Sequence, residues 1–198
     1  MVAPVVTADR SVEAFLSSVA SSQVAPSAGA VAAVTGALGA SLCEMVCVHT
    51  PTAETPPSLA DARTELTARR ARLTELVAAD AAAIEAVQAA FDASSDTDHE
   101  QAALRRATDV PVQIAEAAQD VADTAPAVAA QGTQNARPDA VVGASLAQAA
   151  VTSASVIVRA NLGLVTDETF VDDARARVEA AERTAEAAVS TLAGGSED

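Results

Sequence analysis

Asp80 is the residue in this 198-residue chain whose placement most directly suggests chemistry. It lies in LVAADAAAI (Leu76–Ile84), within a run where Leu66, Leu73, Val77, Ile84, Val87 and Phe91 recur at helical spacing. A carboxylate on such a face is costly to bury unless it is paired or hydrogen-bonded, and loss of water raises its pKa. A carboxyl group titrating near neutral pH can donate and accept protons in a reaction. The same position also suits a structural role, at the edge of the seam or answering a buried arginine. The sequence leaves both readings open.

Other polar residues stand out less. Arg137 and Asp139 flank Pro138 at a predicted helix start, where an acidic side chain also simply complements the helix dipole. Arg159 and Asn161 interrupt an otherwise apolar helix, and either satisfies a partner helix or reaches a ligand. Cys43 and Cys47 share a helical face, but His49 points away from both and His99 is remote, so no metal site is expected. Ordinary buried thiols fit better. No Gly-rich phosphate loop follows a strand, and no Ser-His-Asp set is suggested.

The elements that must position these groups are helices. Half of the residues are apolar, chiefly Ala and Val, with three Phe and no Tyr or Trp; alanine at this level favours helix. Ala25–Thr50 opens with Pro26 and Ser27 and continues on Gly29, Gly36, Gly39 and many alanines. Such small residues let neighbouring backbones approach closely, which reads as the central helix of a bundle. Asp9 and Ser11 are candidate caps for a preceding short helix with Val12, Phe15, Leu16 and Val19 on one side. PTAETPP stops the central helix, and a long helix follows from about Ser58 to Asp92. Asp96–Glu100 reads as a polar break and Gln101–Thr108 as a short helix. Asp109 and Pro111 then start another helix, which Pro126 should kink. Pro138 opens a second small-residue helix with Val142, Leu146, Ala150, Ser153, Ile157, Ala160 and Leu164 in register. Thr166 and Asp167 start the last one. No β pattern is present. The expectation is an all-α, antiparallel up-and-down bundle with two buried Ala/Gly-rich helices. It forms a single domain over residues 1–193 with a disordered tail over 194–198.

The net charge is −15 and every basic residue is arginine. Clustered positive charge is missing, which argues against nucleic-acid binding, and an acidic surface repels anionic membranes. Dense surface charge is tolerable in concentrated salt, so a halophilic cytoplasm is one expectation. The N-terminus lacks a basic region followed by an apolar core, and two cysteines one turn apart suggest reduced thiols; both predict a cytoplasmic protein. Ala28–Val48 is long enough to span a bilayer but is rich in small residues and carries Glu44, which favours a buried helix.

Taken together, SVEAFL (Ser11–Leu16), the Pro-Gly turn with its Ala-rich helix, LVAADAAAI, VPVQIAE (Val110–Glu116), GTQNARPDAVVGA (Gly132–Ala144) and RANLGLVTDETF (Arg159–Phe170) resemble the cyclodeaminase/cyclohydrolase family in order and spacing. The resemblance implies a helical bundle that forms a homodimer, with a folate site in a groove between helices. It implies an enzyme acting on the one-carbon unit between N5 and N10 of tetrahydrofolate, either a methenyltetrahydrofolate cyclohydrolase or a formiminotetrahydrofolate cyclodeaminase. Neither chemistry needs a metal or redox cofactor; the tetrahydrofolate derivative is the substrate. Asp80 matches the family's catalytic carboxylate, with a general acid/base role. Arg137 and Asp139 match an Arg-x-Asp motif suited to a ligand carboxylate and to the amino-amide edge of a pterin. Asn161 matches an Asn of the late helix, and Gly29 belongs to the turn that should border the site. The alternative is a relative without catalysis, acting as a helical ligand-binding or assembly protein.

Overall fold

The computed structural model describes residues 11–51, 56–92 and 97–194; these form six helices, with no strand among them. They are α1 (Val12–Val19), α2 (Ala28–His49), α3 (Pro57–Asp92), α4 (Thr97–Gln131), α5 (Arg137–Leu162) and α6 (Glu168–Gly194). Asp9, part of the PTAETPP loop and residues 195–198 lie outside the described residues, while Gly194 ends α6. Ser11 caps α1 by accepting from the Ala14 amide, and Asp167 caps α6 by accepting from Thr169 and Phe170. Pro138 sits in the first turn of α5, as expected.

The hub of the bundle is α4, which packs against α2, α3, α5 and α6. This corrects the expectation that α2 is central. It also corrects the predicted break: α4 runs unbroken over 35 residues, with Pro111 and Pro126 inside it. Asp109 is therefore mid-helix and caps nothing. A proline at 111 has no N–H to give the Ala107 carbonyl. The Asn161 side-chain amide donates to that carbonyl instead, at 2.9 Å. A tertiary hydrogen bond thus replaces the one that the proline removes.

The inward faces of α2 and α5 are made of small residues. Gly29, Ala33, Gly36 and Ala40 on α2, and Gly143, Ala147, Ala150 and Ala154 on α5, are buried. A Cβ on Gly39 would lie 2.6 Å from the Gly143 carbonyl oxygen, so the two backbones cross in near contact. The larger apolar side chains of the same helices face outward: Leu38 is 54% exposed, Val142 49% and Val156 61%. The two helices expected to be buried are therefore only half-buried. Both are long and apolar enough to cross a membrane by length and composition, yet each packs one side into the bundle. On α3 the seam holds from Leu66 to Asp80, after which Ala83 and Ala90 turn inward and Phe91 is exposed.

Several of the described charged side chains pair between helices on the other faces. Arg177 of α6 grips Glu116 through two hydrogen bonds and lies within ion-pair distance of Asp109 and Asp173. Arg159 pairs with Glu182, Arg69 with Asp120, and Arg105 with Asp167. Arginine suits these sites because its planar fork binds carboxylates in a fixed geometry.

Candidate active site

Because α3 runs antiparallel to α2, it carries Asp80 to the N-terminus of α2. Leu73 packs on Gly36, and Thr67 and Arg70 bond Glu44 further along. Asp80 is 2% exposed. Its Oδ2 accepts from the Ser27 hydroxyl at 2.8 Å and from the Ala30 amide at 2.9 Å. Ser27 is the N-cap of α2, yet its own side chain accepts nothing there. An N-cap serine normally accepts from the amide three residues on. Here Asp80 takes that amide, and the serine donates to Asp80. The cap is supplied from another helix.

Gly29 completes this cradle. A Cβ there would overlap Asp80 Oδ1, so the carboxylate rests directly on the glycine backbone. The turn before it contains a cis Ala25–Pro26 peptide. Burial raises the Asp80 pKa above the ordinary carboxylate range; the Ser27 and Ala30 hydrogen bonds oppose that shift without cancelling it. No ion pair reaches Asp80 among the described residues. The arrangement is a buried acid poised for proton transfer, with one oxygen committed to the helix end and the other over bare backbone. Asp80 and Gly29, both chosen from sequence, are brought together. Ser27 and the Ala30 amide were missed as members of the set; Ser27 before a Gly-containing helix start was the available signal.

The other chosen residues fall elsewhere. The register of α2 against α5 places Ala140 beside Cys43, whose thiol lies 3.9 Å from the Ala140 carbonyl. Arg137 and Asp139 therefore sit along the C-terminal half of α2, about 20 Å from Ala30 at 1.5 Å per residue. One chain does not bring them to Asp80. The Asn161 amide nitrogen serves the Ala107 carbonyl. At the Arg137 end, a cavity of about 700 Å³ opens between α2 and α3, lined by Cys47, Thr50, Leu59, Arg63, Thr64 and Thr67 among others. Burial pushes the Cys43 thiol up to about 12 and also raises Cys47, so neither is a thiolate at neutral pH. No cluster of three or more metal-ligating side chains occurs among the described residues.

The profile of the formiminotransferase-cyclodeaminase family matches residues 11–180. This chain belongs to that family. It is 33% identical over 177 residues to a methenyltetrahydrofolate cyclohydrolase from Methylorubrum extorquens, a match covering 83% of this chain and 85% of that protein. It is also 34% identical over 176 residues to a formimidoyltransferase-cyclodeaminase from Sus scrofa, and there it spans 32% of the relative's length. Among solved structures, a formiminotetrahydrofolate cyclodeaminase from Thermotoga maritima superposes with a TM-score of 0.89 at 27% identity, covering 94% of this chain and 95% of that one. The all-α fold is thus shared over 94% of this chain.

Proposed function

We propose that this protein is a cytoplasmic homodimeric enzyme acting on the one-carbon unit held between N5 and N10 of tetrahydrofolate, with Asp80 transferring protons. The observation that carries the reading is the buried Asp80 carboxyl group, its pKa raised, docked on Gly29 at the start of α2. In the hydrolytic direction, water adds to the methenyl carbon and forms a tetrahedral carbon between two nitrogens. Asp80 accepts the proton of that water. The C–N5 bond then breaks as the hydroxyl gives up its proton and becomes the formyl oxygen, and N5 takes a proton back from Asp80, which leaves a formyl group on N10. In the deaminating direction, N10 attacks the formimino carbon, and Asp80 supplies a proton to the amine that departs as ammonia. A carboxyl group titrating above the usual range suits both roles. Relatives of similar length carry both activities in their names, so the proposal covers the two reactions as a pair.

A second reading has one observation in its favour. Both hydrogen bonds that Asp80 makes are spent on capping α2, and the side chain is covered in the single chain. A ligand-binding or assembly protein of this family would retain such a cap for stability alone. The two readings separate in one assay. Purified protein is given 5,10-methenyltetrahydrofolate, with loss of its near-ultraviolet absorbance followed, and 5-formiminotetrahydrofolate, with ammonia measured. Turnover above the buffer rate on either substrate supports the enzyme; none on both leaves the binding protein.

A further inference from the structure

We infer that Ser27 is a positioning residue for proton transfer by Asp80: its hydroxyl, with the Ala30 amide, occupies Oδ2, so that the exchanged proton enters and leaves through Oδ1. The inference rests on the proposed role of Asp80 and identifies the oxygen that performs it.

The first observation is the use of lone pairs. A carboxylate oxygen offers about two acceptor positions. The Ser27 hydroxyl at 2.8 Å and the Ala30 amide at 2.9 Å both donate to the same oxygen, Oδ2. Oδ2 is thereby filled, while Oδ1 accepts no hydrogen bond among the described residues. A proton arriving at Asp80 finds room on Oδ1 alone.

The second observation is that the Ser27 hydroxyl is not spent on the helix. Ser27 has extended backbone at the N-cap of α2, and its carbonyl accepts from the Val31 amide at 3.2 Å. That bond anchors the residue to the first turn. Its side chain accepts nothing there, and the Ala30 amide is capped by Asp80 instead. Removing the hydroxyl therefore leaves the cap in place. What it takes away is a donor to a carboxyl group 53 residues further along the chain.

The third is that no charge competes for control of the carboxyl group. α3 packs against α2 and α4. α2 has no titratable side chain from Ala28 to Leu42, and the residues that α4 buries between Ala103 and Ala118 are uncharged. Glu75 and Glu85, the nearest charged residues on α3, are exposed. Burial raises the Asp80 pKa, the two donors lower it, and Ser27 is the only side chain of the two.

In hydrolysis the water O–H bond breaks as the Oδ1–H bond forms, and that proton passes from Oδ1 to N5 as the C–N5 bond opens. In deamination Oδ1 gives its proton to the departing amine. Ser27 keeps its own proton throughout.

Titration of the Asp80 carboxyl carbon by NMR tests this without substrate. The protein is labelled with carbon-13 at the aspartate carboxyl groups, and Asp80→Asn identifies the signal. Ser27→Ala, Ser27→Gly and Ser27→Thr are compared with wild type after helicity is checked; glycine is itself a good N-cap, so the hydroxyl is also removed in a variant that keeps the helix start. Both deletions take away a bond that favours the ionised form, so the midpoint moves up by about one pH unit, and threonine returns it. The kcat limb on 5,10-methenyltetrahydrofolate moves with it, because the ionised carboxylate is the base. At the plateau kcat falls by roughly 10-fold as the carboxyl group loses its orientation, and threonine restores it. A midpoint unmoved in both deletions overturns the proposal. So does a plateau that rises, which would mean that Ser27 competes for the reacting oxygen. A wild type inactive on both folates, with the midpoint moved, removes the functional reading and upholds the grip of Ser27 on Oδ2. An active wild type with the midpoint unmoved does the reverse.

Discussion

The two ends of α2 are built from different chemistry, and the contrast shows how one helix serves two purposes. Its start is closed by a carboxyl group from α3, a serine that donates instead of accepting, and a glycine with no room for a methyl group. Its end is closed by uncharged polar contacts: Thr50 Oγ1 donates back to the Val46 carbonyl and accepts from the Thr133 amide. Gly132 lies against Val46, where a Cβ would come 2.5 Å from Cγ1 and 2.7 Å from the Val128 oxygen. Both ends are tight, but of the two only the first holds a carboxyl group whose pKa is raised by burial. A hydroxyl suffices to close a helix. Placing a buried carboxyl group there instead costs stability, which is the expected mark of a functional site.

The contrast is broken or sharpened most strongly at the two glycines. Gly29→Ala and Gly132→Ala each drive a methyl group into a filled space, and each should cost roughly 1–3 kcal/mol in urea unfolding. Turnover should separate them. Gly29→Ala displaces the Asp80 carboxyl group and abolishes activity even where the protein remains folded, whereas folded Gly132→Ala retains activity. Equal retention by both would remove Asp80 from the site.

Asn161 provides the next effect. Asn161→Ala leaves the Ala107 carbonyl without its donor beside Pro111, at a cost of about 1–3 kcal/mol. Adding Pro111→Ala restores a backbone N–H, and the double variant should recover most of that loss. Failure to recover would mean that Asn161 matters for something other than the helix.

How legible this was from sequence depends on residue size. Asp80 stood out because a carboxylate interrupts apolar positions, and burial bore that out. The α3 and α6 boundaries followed from proline and from Asp167. In α2 and α5 the reading failed in one consistent way. Val142, set in register with the apolar residues of its helix, read as core, but close backbone packing at Gly39 and Gly143 requires alanine and glycine inside and sends the large residues out. Periodicity alone does not distinguish a face turned to the core from one turned to another molecule. The unbroken α4 was also hidden, because the donor to the Ala107 carbonyl that Pro111 leaves free lies 54 residues from Ala107, at Asn161. Arg137 and Asp139 were placed near Asp80 by resemblance, and the antiparallel register of α5 sets them at the other end within one chain.

A smaller effect is expected from pH. The folded protein holds the Asp80 proton more tightly than the unfolded chain does, because burial raises its pKa. Stability from this group is therefore greatest at acid pH and falls as pH rises from the usual carboxylate range through the raised folded value. Asp80→Asn lacks that dependence, so its stability relative to wild type should increase with pH across the same window. A flat difference in denaturant titrations would show that the carboxyl group titrates normally. The smallest effect concerns the outer faces. With a net charge of −15, screening by molar KCl should raise the melting temperature; no rise would contradict adaptation to concentrated salt.

The most direct test of the central claim is the pH–rate profile of wild type and Asp80→Asn on 5,10-methenyltetrahydrofolate, with ammonia release from 5-formiminotetrahydrofolate measured in parallel. The account predicts a wild-type limb in kcat inflecting above the ordinary carboxylate range. It also predicts loss of that limb in Asp80→Asn, with kcat lower by at least about 100-fold. An active wild type whose profile and kcat are unchanged by Asp80→Asn would contradict the account and leave Asp80 as a helix cap alone.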